Sequence, residues 1–271
     1  MHRFVASLIA TALVAVIAAS AGTASTTRQF AMNDSAQGVS SNWSGYTLQD
    51  MSGLGLLQFT SVTGTWRVPV TTCDSGTTSS AAFWVGLGGS SDTATGLEQT
   101  GTGADCSNGT PKYYAWYEIL PASSVTVPLV VKPGDTITTS VNVKNTTVLV
   151  QIKNRTRKTS FTKAVTVAAP DLSSAEWIAE APSACSSVGR CQVLPLANFG
   201  NVTFTRAATI ATAHPGTIND PTWENTAISL VPDGGLPSFA GRGASTAGAT
   251  PGALSADGRS FGVSWLANAA P

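Results

Sequence analysis

Histidine is almost missing from this chain. Its 271 residues include two, and His2 lies at the amino terminus beside an apolar run, so only His214 is left for chemistry. A catalytic zinc site commonly draws on two or three histidines, so no metal site is expected. His214 sits in Ala213-His214-Pro215-Gly216, which reads as a turn, and no G-x-S-x-G elbow accompanies it. A Ser-His-Asp triad and a Cys-His nucleophile therefore lack their base. Charge is also scarce: 11% of residues, with Lys+Arg and Asp+Glu balanced at 15 each. That balance leaves no footprint for nucleic acid or an anionic membrane. Few acids also means few paired carboxylates to protonate, which favours survival at low pH. P-loop and dinucleotide fingerprints are absent, and no cofactor is expected.

Long apolar runs are missing except for one. Phe4 to Ala19 is apolar, follows Met1-His2-Arg3, and is succeeded by Ala19-Ser20-Ala21, the small-x-small form that a signal peptidase needs. Residues 1–21 read as a secretory signal peptide rather than a membrane anchor. The mature protein is then expected to be exported, soluble and monomeric. Residues 22–40 are rich in Thr, Ser, Ala and Gln without periodicity, and read as a flexible leader or short pro-segment. Residues 41–271 read as a single domain. Cysteine is limited to Cys73, Cys106, Cys185 and Cys191. An even number in an exported chain implies two disulfides, with three connectivities possible. Cys185 and Cys191 flank a short loop and are expected to pair locally, which leaves Cys73 with Cys106.

Helical periodicity is absent as well. What is present is a succession of short alternating segments rich in Val, Thr, Ile and aromatic residues, separated by Gly, Pro, Asn and Asp. Strands are expected at 59–69, 81–89, 97–101, 112–120, 125–132, 136–144, 147–153, 160–168, 175–180, 192–198, 201–206, 226–231 and 260–266. Asp105 to Pro111 reads as a polar turn and 232–258 as long surface loops. Such a pattern argues an all-β fold, a β-sandwich or jelly roll.

With histidine excluded, carboxylates and amides remain. The five glutamates are Glu98, Glu118, Glu176, Glu180 and Glu224. In Ser174-Ala175-Glu176-Trp177-Ile178-Ala179-Glu180, period two places Glu176, Ile178 and Glu180 on one face and Trp177 on the other. Two acids on one sheet face are costly unless solvated, paired or used. A carboxylate can act as general base toward water, and a side-chain amide can hold a developing oxyanion. A glutamate with an ordinary pKa of about 4.3 stays partly ionised in acid. Cys73-Asp74-Ser75-Gly76 contains the tripeptide of aspartic proteases, but those enzymes need two aspartates sharing a proton, and this tripeptide occurs once.

Several segments, in order, resemble the glutamic peptidases, or eqolisins. Asn42-Trp43-Ser44-Gly45 resembles the family's opening motif. Phe83-Trp84-Val85-Gly86-Leu87-Gly88-Gly89 is similar to its WVGIDG strand, and Leu97-Glu98-Gln99-Thr100-Gly101 to its LQTG segment. Tyr114-Ala115-Trp116-Tyr117-Glu118, Pro133-Gly134-Asp135-Thr136-Ile137 and Ala175 to Glu180 match further motifs, and Phe199 to Thr205 resembles the closing one. The resemblance implies a concanavalin-like β-sandwich (jelly roll) of two curved antiparallel sheets and an acid endopeptidase acting on proteins or peptides. It places the catalytic pair at Gln99 and Glu180, with Trp84 and Glu118 lining the cleft and Trp116 and Trp43 beside them. Two positions depart from the family: its Asp is Gly88 here, and the acid before AWYE is Tyr114. A less acidic site implies a less extreme pH optimum. The alternative from the residues alone is a carbohydrate-active jelly roll with Glu118 and Glu180 about 5 to 9.5 Å apart and tryptophans stacking on sugar. A non-catalytic binding module is the third reading.

Overall fold

Alternation decides which way each strand faces, and it is clearest around Trp177. The computed structural model describes residues 35–52, 54–90, 94–185, 191–232 and 246–269. Its strands, in chain order, are β1 Ala36–Ser40, β2 Trp43–Gln49, β3 Phe59–Arg67, β4 Ser79–Gly88, β5 Leu97–Ser107 and β6 Thr110–Ile119. They continue with β7 Val125–Val127, β8 Thr136–Lys144, β9 Thr147–Asn154, β10 Thr159–Thr166, β11 Ser174–Glu180 and β12 Ser183–Cys185. The last six are β13 Cys191–Val193, β14 Asn201–Ala211, β15 His214–Gly216, β16 Glu224–Leu230, β17 Gly248–Pro251 and β18 Phe261–Leu266. No described residue lies in an α-helix.

The ladder runs β10-β9-β8-β3-β14-β18-β17-β16-β2-β11-β4-β5-β6-β7, and its two arms pack face to face as a sandwich around one core. All neighbours along this path are antiparallel. One sheet face of each arm supplies the core. From β11 come Ala175, Trp177 and Ala179; from β4, Phe83, Val85 and Leu87; from the opposing arm, Val62, Trp66, Val141 and Phe204. Two indoles tie the arms together. Trp66 Nε1 donates to Thr102 Oγ1 at 3.0 Å, and Trp177 Nε1 donates to the Thr63 carbonyl at 2.8 Å. A buried indole N–H left without an acceptor would cost about 1–3 kcal/mol, so these bonds fix how the layers register.

The architecture is the expected all-β sandwich, with local differences. Ala36–Ser40, read as part of a leader, forms β1 and pairs in parallel with β16. Residues 1–34, including the expected signal peptide, lie outside the described residues. The polar turn expected over Asp105 to Pro111 is much shorter. β5 and β6 pair to Ser107 opposite Thr110, and the reversal falls on Asn108 and Gly109, both with positive φ of 50° and 75°. Asn-Gly is the strongest short hairpin signal, because both residues tolerate that backbone region. The strand expected over 125–132 stops at Val127, before Pro128. The segment 192–198 keeps the last two residues of β13 and then bridges singly, Leu196 to Ser80 and Asn198 to Thr72. His214 begins β15 rather than a turn, and its Nε2 lies 3.0 Å from Asp220 Oδ2.

Cys73 and Cys106 are disulfide-bonded, Cα to Cα 5.4 Å, closing a separation of 33 residues. Cys185 and Cys191 face each other in the β12–β13 register; their side chains lie outside the described residues. Replacing Cys73 and Cys106 together by serine should lower stability by about 3–4 kcal/mol, the loop-closure value for this length. Thermal unfolding of the double variant checks it. Non-reducing peptide mapping should return a second bond joining Cys185 to Cys191.

Candidate active site

Five strands bring their outer-face residues into rows. Glu176 of β11 lies opposite Gly86 of β4, which lies opposite Gln99 of β5, which lies opposite Glu118 of β6. Two residues along, Ile178, Trp84, Gly101 and Trp116 form the next row. Two further, Glu180, Ala82, Gly103 and Tyr114 form the third. β2 adds Trp43 opposite Glu180. Ala82, Trp84, Leu97, Trp116 and Ile178 make a small buried apolar cluster on this face, separate from the main core, with Trp43 and Tyr114 packed on it partly exposed. Trp43 meets Trp84 edge to face, ring centroids 5.0 Å apart. Gly101 is required here: a Cβ would run into the Phe83 carbonyl and the Trp84 backbone.

Acids and an amide border this patch. Glu180, partly exposed, accepts from Trp84 Nε1 at 2.7 Å through Oε2 and from Asn42 Nδ2 at 3.1 Å through Oε1. Burial pushes its carboxyl up to about 7. The indoles of Trp84 and Trp43 and the Asn42 amide pull it down, while the nearby Glu118 charge adds to the rise. Gln99 is 4% exposed and donates from Nε2 to Glu118 Oε2 at 2.7 Å; its Oε1 has no hydrogen-bond partner. Burial also raises Glu118, offset by hydrogen bonds from Gln99 and the Ser124 backbone. The Glu118 carboxyl accepts from the amide nitrogen, so it orients Gln99 with Nε2 toward itself and engages one of the two amide hydrogens.

A second group of acids stands at one end of the row. Glu176 is fully buried, with neither carboxyl oxygen in hydrogen-bonding geometry. Burial holds its carboxyl well above the usual range; the nearby Ser174 hydroxyl tempers the rise and the Asp171 and Glu98 charges add to it. Glu98, 1% exposed, accepts from the Asp171 backbone N–H at 3.3 Å and is pushed up to about 7, chiefly by burial. Asp171 itself is held low by the Ser173 side chain and by the backbone of Ser173, Thr95 and Gly96, which together outweigh its burial. Among the described residues no group of His, Cys, Asp or Glu is arranged to hold a metal ion.

Every site residue read from the sequence, Gln99, Glu180, Trp84, Glu118, Trp116 and Trp43, lies on this one face. Sequence reading missed Asn42 as a Glu180 partner, although Asn42 precedes Trp43 and β2 pairs with β11. It also missed Asp105 and Asp171, whose strand and loop placements have no local signature.

The curved all-β sandwich is the fold of solved glutamic peptidases. The chain belongs to the Peptidase A4 family, whose model matches residues 41–229. Three solved structures share the fold. Scytalido-glutamic peptidase with a transition state analog inhibitor is 24% identical, over 83% of this chain and 98% of its own, with TM-score 0.65. SCP-B, an eqolisin in complex with the tripeptide Ala-Ile-His, is 23% identical over 83% and 98%, TM-score 0.56. Aspergilloglutamic peptidase from Aspergillus niger is 24% identical over 69% and 99%, TM-score 0.52. No match is found among curated proteins. The chain is thus a glutamic endopeptidase, a hydrolase of peptide bonds.

The buried acids make stability depend on pH. A carboxyl whose folded pKa is raised binds its proton more tightly folded than unfolded. Its stabilising effect is complete below the unfolded value and is lost as pH rises to the folded one. For Glu98 that window runs from the ordinary value, about 4.3, to about 7. Glu176→Gln removes one such group. Its melting temperature should gain on the wild type as pH rises from 4 to 7, by roughly 3 °C or more, corresponding to about 1 kcal/mol. A constant gap in calorimetry across that range would show that Glu176 does not titrate with folding.

Proposed function

We propose that the protein is an exported endopeptidase that cleaves peptide bonds with Glu180 as general base and Gln99 as oxyanion donor. The observation that carries this reading is the cleft itself: a partly buried carboxyl held by indole and amide donors, and a buried amide whose nitrogen is fixed by Glu118. Ionised Glu180 takes a proton from water, and the resulting nucleophile attacks the scissile carbonyl. The second Nε2 hydrogen of Gln99 stabilises the tetrahedral oxyanion, and protonated Glu180 then donates to the leaving amine. No acyl-enzyme forms. The substrate is a protein or peptide, consistent with the tripeptide and the inhibitor held by the related structures.

Desolvation revises the working range. An ordinary glutamate would be partly ionised in strong acid, whereas Glu180 at about 7 is ionised chiefly toward neutral pH. The acid limb of kcat/KM should follow Glu180, and the alkaline limb the loss of stability from buried acids. The optimum then falls in mild acid, not at the extreme. Two carboxyls flank the cleft, which is also what a glycosidase requires. Casein digestion with and without pepstatin, set against oligosaccharide hydrolysis, separates the two readings; cleavage of casein insensitive to pepstatin and to metal chelators is expected.

Substitution separates the roles. Glu180→Gln should lose about 10²-fold or more in kcat with the fold intact, as expected for a general base. Gln99→Ala should fall about 10²–10³-fold. Glu176→Gln should be much milder. Glu118→Gln removes a charge that raises Glu180, so the acid limb should move to lower pH. If Glu176→Gln is inactive while Glu180→Gln is active, the base is the wrong glutamate.

A further inference from the structure

The third row of the cleft holds a group that the dyad does not use. Tyr114 lies on β6 opposite Gly103, and its ring covers that glycine so closely that a Cβ there would collide with it. Its hydroxyl donates to Asp105 Oδ1 at 3.1 Å, and the same oxygen accepts from Ser80 Oγ at 2.6 Å. Ser80 is buried and pairs across the strands with Asp105. The phenol is thus anchored at its far end and presents a partly exposed ring. Between Tyr114 and Glu180 the row contains only Ala82 and Gly103, the two smallest side chains available. Trp84 and Ile178 of the buried cluster lie beside Ala82, and Trp43 packs on the same cluster.

We propose that Tyr114 is a specificity-determining residue: with Trp43, both packed partly exposed on the buried cluster of Ala82 and Trp84, it forms an apolar subsite beside Glu180 for a large uncharged side chain adjoining the scissile bond. This rests on the peptide crossing the cleft as in the reading above. Several features decide the chemical class. The surface is apolar because the Tyr114 ring lies over Gly103 and the buried cluster of Ala82, Trp84 and Ile178 lies beneath Trp43 and Tyr114. Asp105 is already engaged by Tyr114 and Ser80, so it offers less to a cationic side chain. The phenol stays neutral, held so by burial and by the Asp105 charge. A flat, anchored ring loses little freedom when it packs on an incoming aromatic or aliphatic group.

The test uses internally quenched peptides that vary one residue at a time on either side of the cleaved bond, with kcat/KM compared for Phe, Leu, Ala and Lys. At one subsite the wild type should favour Phe or Leu over Ala by roughly tenfold or more, the discrimination an apolar pocket supplies. Tyr114→Ala should abolish most of that ratio. Tyr114→Phe should keep it, since the ring remains. Tyr114→Asp should shift the same subsite toward Lys. If Tyr114→Ala does not fold, judged by near-ultraviolet circular dichroism, Tyr114→Leu serves instead and should lose the preference for Phe over Leu. An unchanged ratio at every subsite in a folded Tyr114→Ala or Tyr114→Leu overturns the proposal. The ratio is independent of which acid is the base, so an active Glu180→Gln would defeat the dyad and leave this readout intact.

Discussion

Carboxyl groups wholly or partly withdrawn from water without a cation are the constraint on which this cleft depends. Among the described residues the ion pairs are Arg157 with Asp135 and His214 with Asp220, and neither involves a cleft glutamate. Glu98, Glu118, Glu176 and Glu180 must therefore be accommodated by hydrogen bonds or by keeping a proton. Glu180 and Glu118 use donors: indoles and an amide for one, Gln99 for the other. Glu176 has no such donor in bonding geometry, and burial holds its carboxyl well above the usual range. The same desolvation that makes Glu180 a stronger base makes the fold prefer acid. Reactivity and stability thus pull the working pH in opposite directions.

The sheet makes this arrangement possible because one strand serves two faces. β11 sends Trp177 into the main core, where its N–H finds the Thr63 carbonyl of the opposing arm. Its alternate residues carry Glu176 and Glu180 to the cleft. A one-residue slip of β11 would exchange these faces and place both acids in the core, a cost no local compensation could meet. Small residues in the intervening strands, Gly86, Ala82, Gly101 and Gly103, leave the room into which the long side chains of Trp84, Gln99 and Tyr114 reach.

Much of this could be read from residue order. Near-absence of histidine removed the common hydrolytic designs, and period-two alternation at 174–180 put two glutamates on one face. Regular turn residues gave an all-β sandwich, and the segments of the Peptidase A4 family pointed to Gln99 and Glu180. Errors came where local signals compete. The Asn108-Gly109 reversal was hidden in a polar run, and the register of β5 with β6 extends past residues that look like a loop. Ala36–Ser40 has no pattern of its own and becomes a strand because β16 offers an edge.

The sequence by itself determined which groups were available and which faces of a strand they share, because period two is a property of any extended chain. Only the tertiary structure decided what those groups became. Two glutamates four residues apart on one strand differ because Glu180 meets Trp84 from β4 and Asn42 ahead of β2, while Glu176 has no donor in hydrogen-bonding geometry. Gln99 is oriented by Glu118 across a hairpin, and Tyr114 by Asp105 on the neighbouring strand. Desolvation and hydrogen-bond geometry depend on neighbours distant in sequence, and those are fixed by the register of the sheet.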